Sequence, residues 1–356
     1  MTNHFSDLEE EINRGMRGMN GGVPMGFDRL NKYIGIRKRI YSVVFGATGS
    51  GKSAFVHSAY ILNPFDWWHV NKHKSSVKVK VMLFSMERSK VYTKAKWLSR
   101  KIFLSEGILI PIQKLLGWWD TKMTKDEHDL VMQYSDYINE LCEFCDIIEG
   151  GQNPTGIYKY MKSYATANGR FEETGEFSKV YIPNNESEIV IPIVDHYGLT
   201  KEERGMTKKQ AIDKVSEYFQ WSRDHLGYSP VGVSQLNREM SGFMNKKIES
   251  FEPTLDHIKE SGRPAEDADC VISMFQPSRY KTEDYSYDVS KFIDPNTGGD
   301  FFRSVKVLKN SYGEADVRIG MGFHGATGMF KELPKKKDME NFDYDSLFNG
   351  VYYLEQ

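Results

Sequence analysis

The run Gly46-Ala47-Thr48-Gly49-Ser50-Gly51-Lys52-Ser53 has the residue types and the spacing of a phosphate-binding loop. Its glycines let the backbone turn tightly and aim several N–H groups at one anion, which also sits at a helix N-terminus. In that arrangement Lys52 reaches the β- and γ-phosphates of a nucleoside triphosphate and the Ser53 hydroxyl holds a metal ion. The ligands implied are ATP and Mg²⁺.

Three further positions carry groups that such a site needs. Ile191-Pro192-Ile193-Val194-Asp195 ends an apolar run on an acid, and ligands of open parallel sheets bind at the C-terminal strand edge. Asp195 is therefore the candidate for the Mg²⁺ water shell beside Ser53. Phe84-Ser85-Met86-Glu87 repeats the arrangement. Glu87 there can deprotonate an attacking water; alternatively, Ser85 caps a helix and Glu87 satisfies its first-turn amides. Gln235, at the tip of the run 230–235, can touch both a γ-phosphate and the loop that follows, as a sensor would. That loop, 237–253, carries Arg238, Lys246 and Lys247. A basic loop can track a phosphate backbone, but charge alone describes a solvated loop equally well.

These residues need a frame. Near-continuous apolar runs at 40–45, 79–85, 189–195, 230–234 and 270–274 read as strands covered on both faces. Helical patterns alternate with them, including 54–62 and the amphipathic stretch 206–226. The fold class is α/β, a mostly parallel central sheet flanked by helices. Segments 301–308 and 315–323 flank the turn-rich Asn310-Ser311-Tyr312-Gly313 and read as a C-terminal antiparallel hairpin. The organisation read from this is a linker helix and oligomerisation segment over 1–22, a catalytic domain over 23–334, and a tail over 335–356. Within the first, residues 6–13 form a helix with Ser6 as N-cap. Residues 63–76 read as a long loop, and 168–187 as a hairpin or a flap.

With 356 residues, the chain suits one large α/β domain with insertions or two modest domains. A net charge of −2 gives no global basic footprint, so any nucleic-acid contact must be local. No apolar run approaches a membrane span and the N-terminus has no signal-peptide pattern, which points to the cytoplasm. Three cysteines exclude a disulfide framework. Cys142 and Cys145 form C-x-x-C without a second pair to complete a zinc site, and read as two partly buried thiols on a helix. Trp67-Trp68 and Trp118-Trp119 read as insert residues packed onto the core, because paired tryptophans bury large area.

The order GATGSGKS, FSMERSK, IPIVDHYGL, VGVSQLNRE, TLDHIKESGRPAEDADCVI and VLKNSYG resembles the ATPase domain of DnaB-type replicative helicases, a branch of the RecA-like P-loop fold. The resemblance runs over roughly residues 20–333, and the compact layout with long inserts is similar to phage versions of the family. It implies that Lys52 and Ser53 handle phosphate and metal, that Glu87 is the catalytic base, Asp195 the metal-side acid and Gln235 the coupling sensor. It places two loops at a central channel, one carrying Lys201, Arg204, Lys208 and Lys209, the other Arg238, Lys246 and Lys247. Asp269 lies in the matching DAD block, with a structural role. Two departures stand out. The family's N-terminal helical domain has only about twenty residues here to correspond to it. The hairpin keeps Lys309, directed at the neighbour's ATP, but has Ser311 where the family carries an arginine finger; Arg303 or Arg318 is the candidate substitute.

The leading reading is a homo-oligomeric, hexameric motor that hydrolyses ATP between subunits and moves on single-stranded DNA, 5′ to 3′ by resemblance, with a primase or loader as further partner. The alternative is a RecA-like ATPase acting in recombination, loading or regulation without unwinding. A small-molecule P-loop kinase would need an arginine-rich lid, and the sequence shows none.

Overall fold

The structure is a computed structural model that describes residues 5–18, 20–175, 178–236, 252–258, 261–280 and 287–354. Its strands are β1 (Ser42–Gly46), β2 (Lys78–Ser85), β3 (Cys145–Glu149), β4 (Gly169–Gly175), β5 (Ser178–Pro183), β6 (Glu188–Asp195), β7 (Val231–Gln235), β8 (Cys270–Phe275), β9 (Phe302–Asn310), β10 (Val317–His324) and β11 (Met329–Glu332). Nine of them form one sheet in the order β11-β10-β9-β8-β1-β7-β6-β2-β3. The six strands from β3 to β8 pair in parallel. The last three add antiparallel pairings, which include the expected C-terminal hairpin. The remaining two, β4 and β5, make the insert at 168–187 a separate antiparallel hairpin.

Alternation along buried strands supplies two core layers. Val44 faces one side with Phe55, Val81, Ile191 and Ile272. Val43 and Phe45 face the other with Phe84, Val194, Val215 and Phe219. Every residue of β1 is buried, so its central Val43-Val44-Phe45 is apolar without alternation. A third cluster forms beside the antiparallel strands, where Phe103, Phe292 and Phe302 meet Leu347, Tyr352 and Tyr353. The segment after Pro334, read as a tail, thus folds back onto the body, while Lys335, Lys336 and Lys337 themselves stay exposed.

Several local expectations are corrected. Residues 63–76 are not a long loop: the phosphate-loop helix Lys52–His57 continues through a wider turn, Ser58–Leu62, into a helix over Asn63–Asn71. Pro64 lies just after the wider turn, where the helical hydrogen-bond pattern changes and its missing N–H is accommodated. Phe65, fully buried, meets Trp68, Tyr137 and Phe144, so apolar burial decides against a loop. Trp67 and Trp68 pack against the core as expected. Trp118 and Trp119 do not: they are 39% and 78% exposed, Trp118 stacking on Tyr92. Cys142 is helical, but Cys145 opens β3, an edge strand whose short mixed run, Cys-Asp-Ile-Ile-Glu, hid its type. Phe5 rather than Ser6 stands at the N-cap of the Ser6–Met16 helix, with no side-chain cap.

Candidate active site

Parallel register brings the motifs to one edge. Gly46 pairs with Gln235 and Ser85 with Asp195, and the β6–β7 register sets Gln235 two residues beyond the level of Asp195, so four strand ends open onto the same edge. Gly46 is required by close approach: a Cβ there would lie 2.4 Å from the Met274 carbonyl oxygen. Gly51, at φ +92°, sits at the N-cap of the helix that begins with Lys52, a left-handed position that favours glycine.

Lys52 is buried, and its Nζ donates to the Ala47 carbonyl at 2.8 Å. Burial, only partly offset by the charges of Asp195 and Glu87, holds its ammonium down at about 8. The Ser53 hydroxyl donates to Asp195 Oδ1 at 3.0 Å. Burial pushes the Asp195 carboxyl up to about 6, against that hydrogen bond. A hydroxyl and a carboxylate held side by side next to a lysine fit Mg²⁺, an oxygen-seeking cation that keeps most of its waters and shares phosphate oxygens. No cluster of three or more acidic, histidine or cysteine ligands occurs among the described residues, and Mg²⁺ at a triphosphate does not require one.

Glu87 is half-exposed and pairs with Arg88 at 3.2 Å, while its charge bears on both Lys52 and Asp195. Its capping alternative is not realised. The following helix, Lys90–Glu106, is capped by Ser89, which accepts from Tyr92 N. The Lys90 N–H is taken by Glu149, and Ser85 Oγ donates to the Arg88 carbonyl. Glu87 takes no part in that cap. Gln235 Nε2 lies 3.0 Å from His196 Nε2, linking the tip of β7 to the residue after Asp195.

Arginines hold the loop from behind. Arg303, 5% exposed, donates from Nε to the Ser50 carbonyl at 3.2 Å, pairs with Asp300, and stacks over Phe323. It is therefore committed to this chain's own phosphate loop, which corrects its candidacy as a finger into a neighbour. Arg279 Nη1 donates to the Thr48 carbonyl. Arg318, the other candidate, pairs with Glu252. The two loop contacts could not be read from the sequence, because Arg303 and Arg279 stand 253 and 231 positions from their partners.

Lys309 Nζ donates to the Ala265 and Glu266 carbonyls at 3.2 and 2.8 Å. Asp269 accepts from Tyr41 N and Arg223, pinning the lead into β1 to the Lys208–Leu226 helix, the structural role expected. Lys201, Arg204 and Lys209 are exposed between β6 and that helix or at its start. Lys208 is half-buried and pairs with Glu202 at 2.9 Å. Arg238, Lys246 and Lys247 lie outside the described residues.

Two site residues escaped the sequence reading. His57 lies beside Asp195, and Trp97 packs against His57. Burial drives His57 down to about 3, so its ring is neutral and its 3.9 Å approach to Asp195 Oδ2 is not an ion pair. The signal was present: His57 follows Ser53 by about one helical turn, and so shares its face.

The fold and this edge define a RecA-like α/β protein of the P-loop kind. The family model described as DnaB-like helicase C terminal domain matches residues 177–332, which include Asp195, Gln235 and Lys309 but not the phosphate loop. Among solved structures, the chain is similar to one described as an ATPase domain, with a TM-score of 0.66 at 18% identity over 94% of this chain and 100% of that one. It is likewise similar to one described as a DnaB-like replicative helicase and its interactions with primase, with a TM-score of 0.67 at 18% identity over 94% of this chain and 68% of that one. A search of curated proteins returned no match. Residues 177–332 thus match the DnaB-like helicase C terminal domain model, and the chain as a whole has a RecA-like α/β fold.

Proposed function

We propose that this protein is an ATP-hydrolysing motor of the replicative helicase type, acting on single-stranded DNA. The single observation that carries the reading is the convergence of Lys52, Ser53, Glu87, Asp195 and Gln235 on one edge of the parallel sheet. Lys52 would neutralise the β- and γ-phosphates, and the loop N–H groups would cradle them. Ser53 and Asp195 would hold Mg²⁺, which supplies charge neutralisation between the phosphates. Glu87 would accept a proton from water as its oxygen attacks the γ-phosphorus and the bond to the β–γ bridging oxygen breaks, leaving ADP and phosphate. Gln235, tied to His196, would pass the state of the γ-phosphate to the loop beyond β7.

Lys309 would act from a neighbouring copy, so the working form is a homo-oligomer, a hexamer with DNA in its channel. The exposed Lys201, Arg204 and Lys209 support a backbone-tracking loop by charge and placement; Lys208, Arg238, Lys246 and Lys247 complete the proposed set. Travel would be 5′ to 3′ by the family resemblance, and a primase or loader would be a further partner, one similar structure being described with its interactions with primase.

ATP turnover with and without single-stranded DNA tests the reading. DNA should stimulate turnover severalfold, and Lys52→Ala should abolish it. Turnover indifferent to both DNA and Lys52→Ala sinks the motor. Ser311 favours a second reading, an ATPase that binds DNA or loads another protein without unwinding, since an arginine finger is worth about 10³-fold or more in rate. DNA-stimulated turnover without strand separation would select it.

A further inference from the structure

Trp97 settles which nitrogen of His57 carries a proton. The indole N–H of Trp97 lies 3.3 Å from His57 Nδ1, and an indole can only donate. Nδ1 must therefore present its lone pair, and the ring proton sits on Nε2. The two rings pack edge to face at 5.7 Å, which fixes the imidazole plane. Nε2 is buried with no hydrogen-bond partner in the structure. The oxygen it faces is Asp195 Oδ2 at 3.9 Å, while the other oxygen, Oδ1, accepts from Ser53.

We infer that His57 is a positioning residue for Asp195: its Nε2–H, oriented by Trp97, directs Oδ2 so that Oδ1 is presented to Ser53. This rests on reading Asp195 as the metal-side acid. The gap of 3.9 Å exceeds an ordinary N–H···O bond by about an ångström. A buried donor without an acceptor is costly, and the side chain that can relieve it with the least movement is Asp195. The arrangement has the form of an outer-shell contact, in which a group behind the metal-holding residue fixes its orientation. His57 touches no phosphate and is not a catalytic residue.

The test begins with the whole chain labelled with ¹⁵N-histidine. Two-bond ¹H–¹⁵N correlations at neutral pH, without nucleotide, should show His57 protonated on Nε2 alone. A ring protonated on Nδ1, or on both nitrogens, overturns the inference whatever the enzyme does. Adding Mg²⁺ and a non-hydrolysable ATP analogue should move the Nε2–H resonance downfield; no movement counts against it. His57→Leu should then weaken the Mg²⁺ dependence of analogue binding by about tenfold, leaving affinity at saturating Mg²⁺ unchanged, and His57→Gln should recover part of the loss. Equal Mg²⁺ dependence in His57→Leu and the unaltered protein overturns it. These readouts need no turnover, so failure of the motor reading would show separately, as nucleotide binding without hydrolysis or DNA stimulation.

Discussion

The residues behind the phosphate loop carry opposite proton preferences, and these have measurable consequences. His57 is held at about 3 against an ordinary 6.5. Below pH 6.5 the unfolded chain takes up a proton that the folded ring refuses, so this group's stabilisation is present above 6.5 and is lost as pH falls towards 3. Asp195 is held at about 6 against 3.8. Between those values the folded chain binds the proton more tightly, so its contribution is full below 3.8 and is lost as pH rises through 6. Each slope is about 1.4 kcal/mol per pH unit. Urea unfolding at about pH 7, 6 and 5, spanning both windows, should therefore show His57→Leu gaining stability relative to the unaltered protein as pH falls, and Asp195→Asn losing it. Parallel curves for all three proteins would mean that neither group is perturbed by the fold.

At the scale of elements, burial rather than composition decides what the insert after the phosphate-loop helix becomes. Phe65 is enclosed by aromatic neighbours, whereas Val70, on the same helix, is 73% exposed. Phe65→Ala should cost about 3–5 kcal/mol and Val70→Ala less than about 0.5 kcal/mol, by denaturant titration. Similar values for both would show that the helix does not dock through that face. The Lys208–Leu226 helix starts at a capping box of Thr207 and Gln210. Its first residues are lysines, the wrong charge for a helix N-terminus, so the cap matters more here. Thr207→Ala should lower stability by about 1 kcal/mol, read from the same titration.

For the whole molecule, the order of the strands explains why one edge serves as the site. Parallel pairing from β3 to β8 points the C-terminal ends of β1, β2, β6 and β7 the same way. The antiparallel strands beyond β8 carry Lys309 and Ser311 away from this chain's own loop, consistent with a role at a neighbour's. Installing Ser311→Arg should raise ATP turnover at least about tenfold, and only at protein concentrations where light scattering shows oligomers. A rise at concentrations where the protein is monomeric would place the arginine in its own site and contradict the shared-site arrangement.

The phosphate loop, the acid closing β6 and the strands carrying them were legible because each is a contiguous signal: residue type and spacing along a few positions dictate local backbone. The Asn63–Asn71 helix was not, since its decisive fact is Phe65 meeting Phe144, and β3 was hidden by a run too short and mixed to show its period. The phosphate loop's supports were invisible for the same reason, Arg303 reaching Ser50 and Trp97 reaching His57 across folded distance. Sequence by itself determined which groups could bind a nucleotide and in what order they occur. Tertiary structure alone decided which oxygen, nitrogen and carbonyl each one faces, because hydrogen bonds and burial depend on neighbours that chain connectivity does not specify.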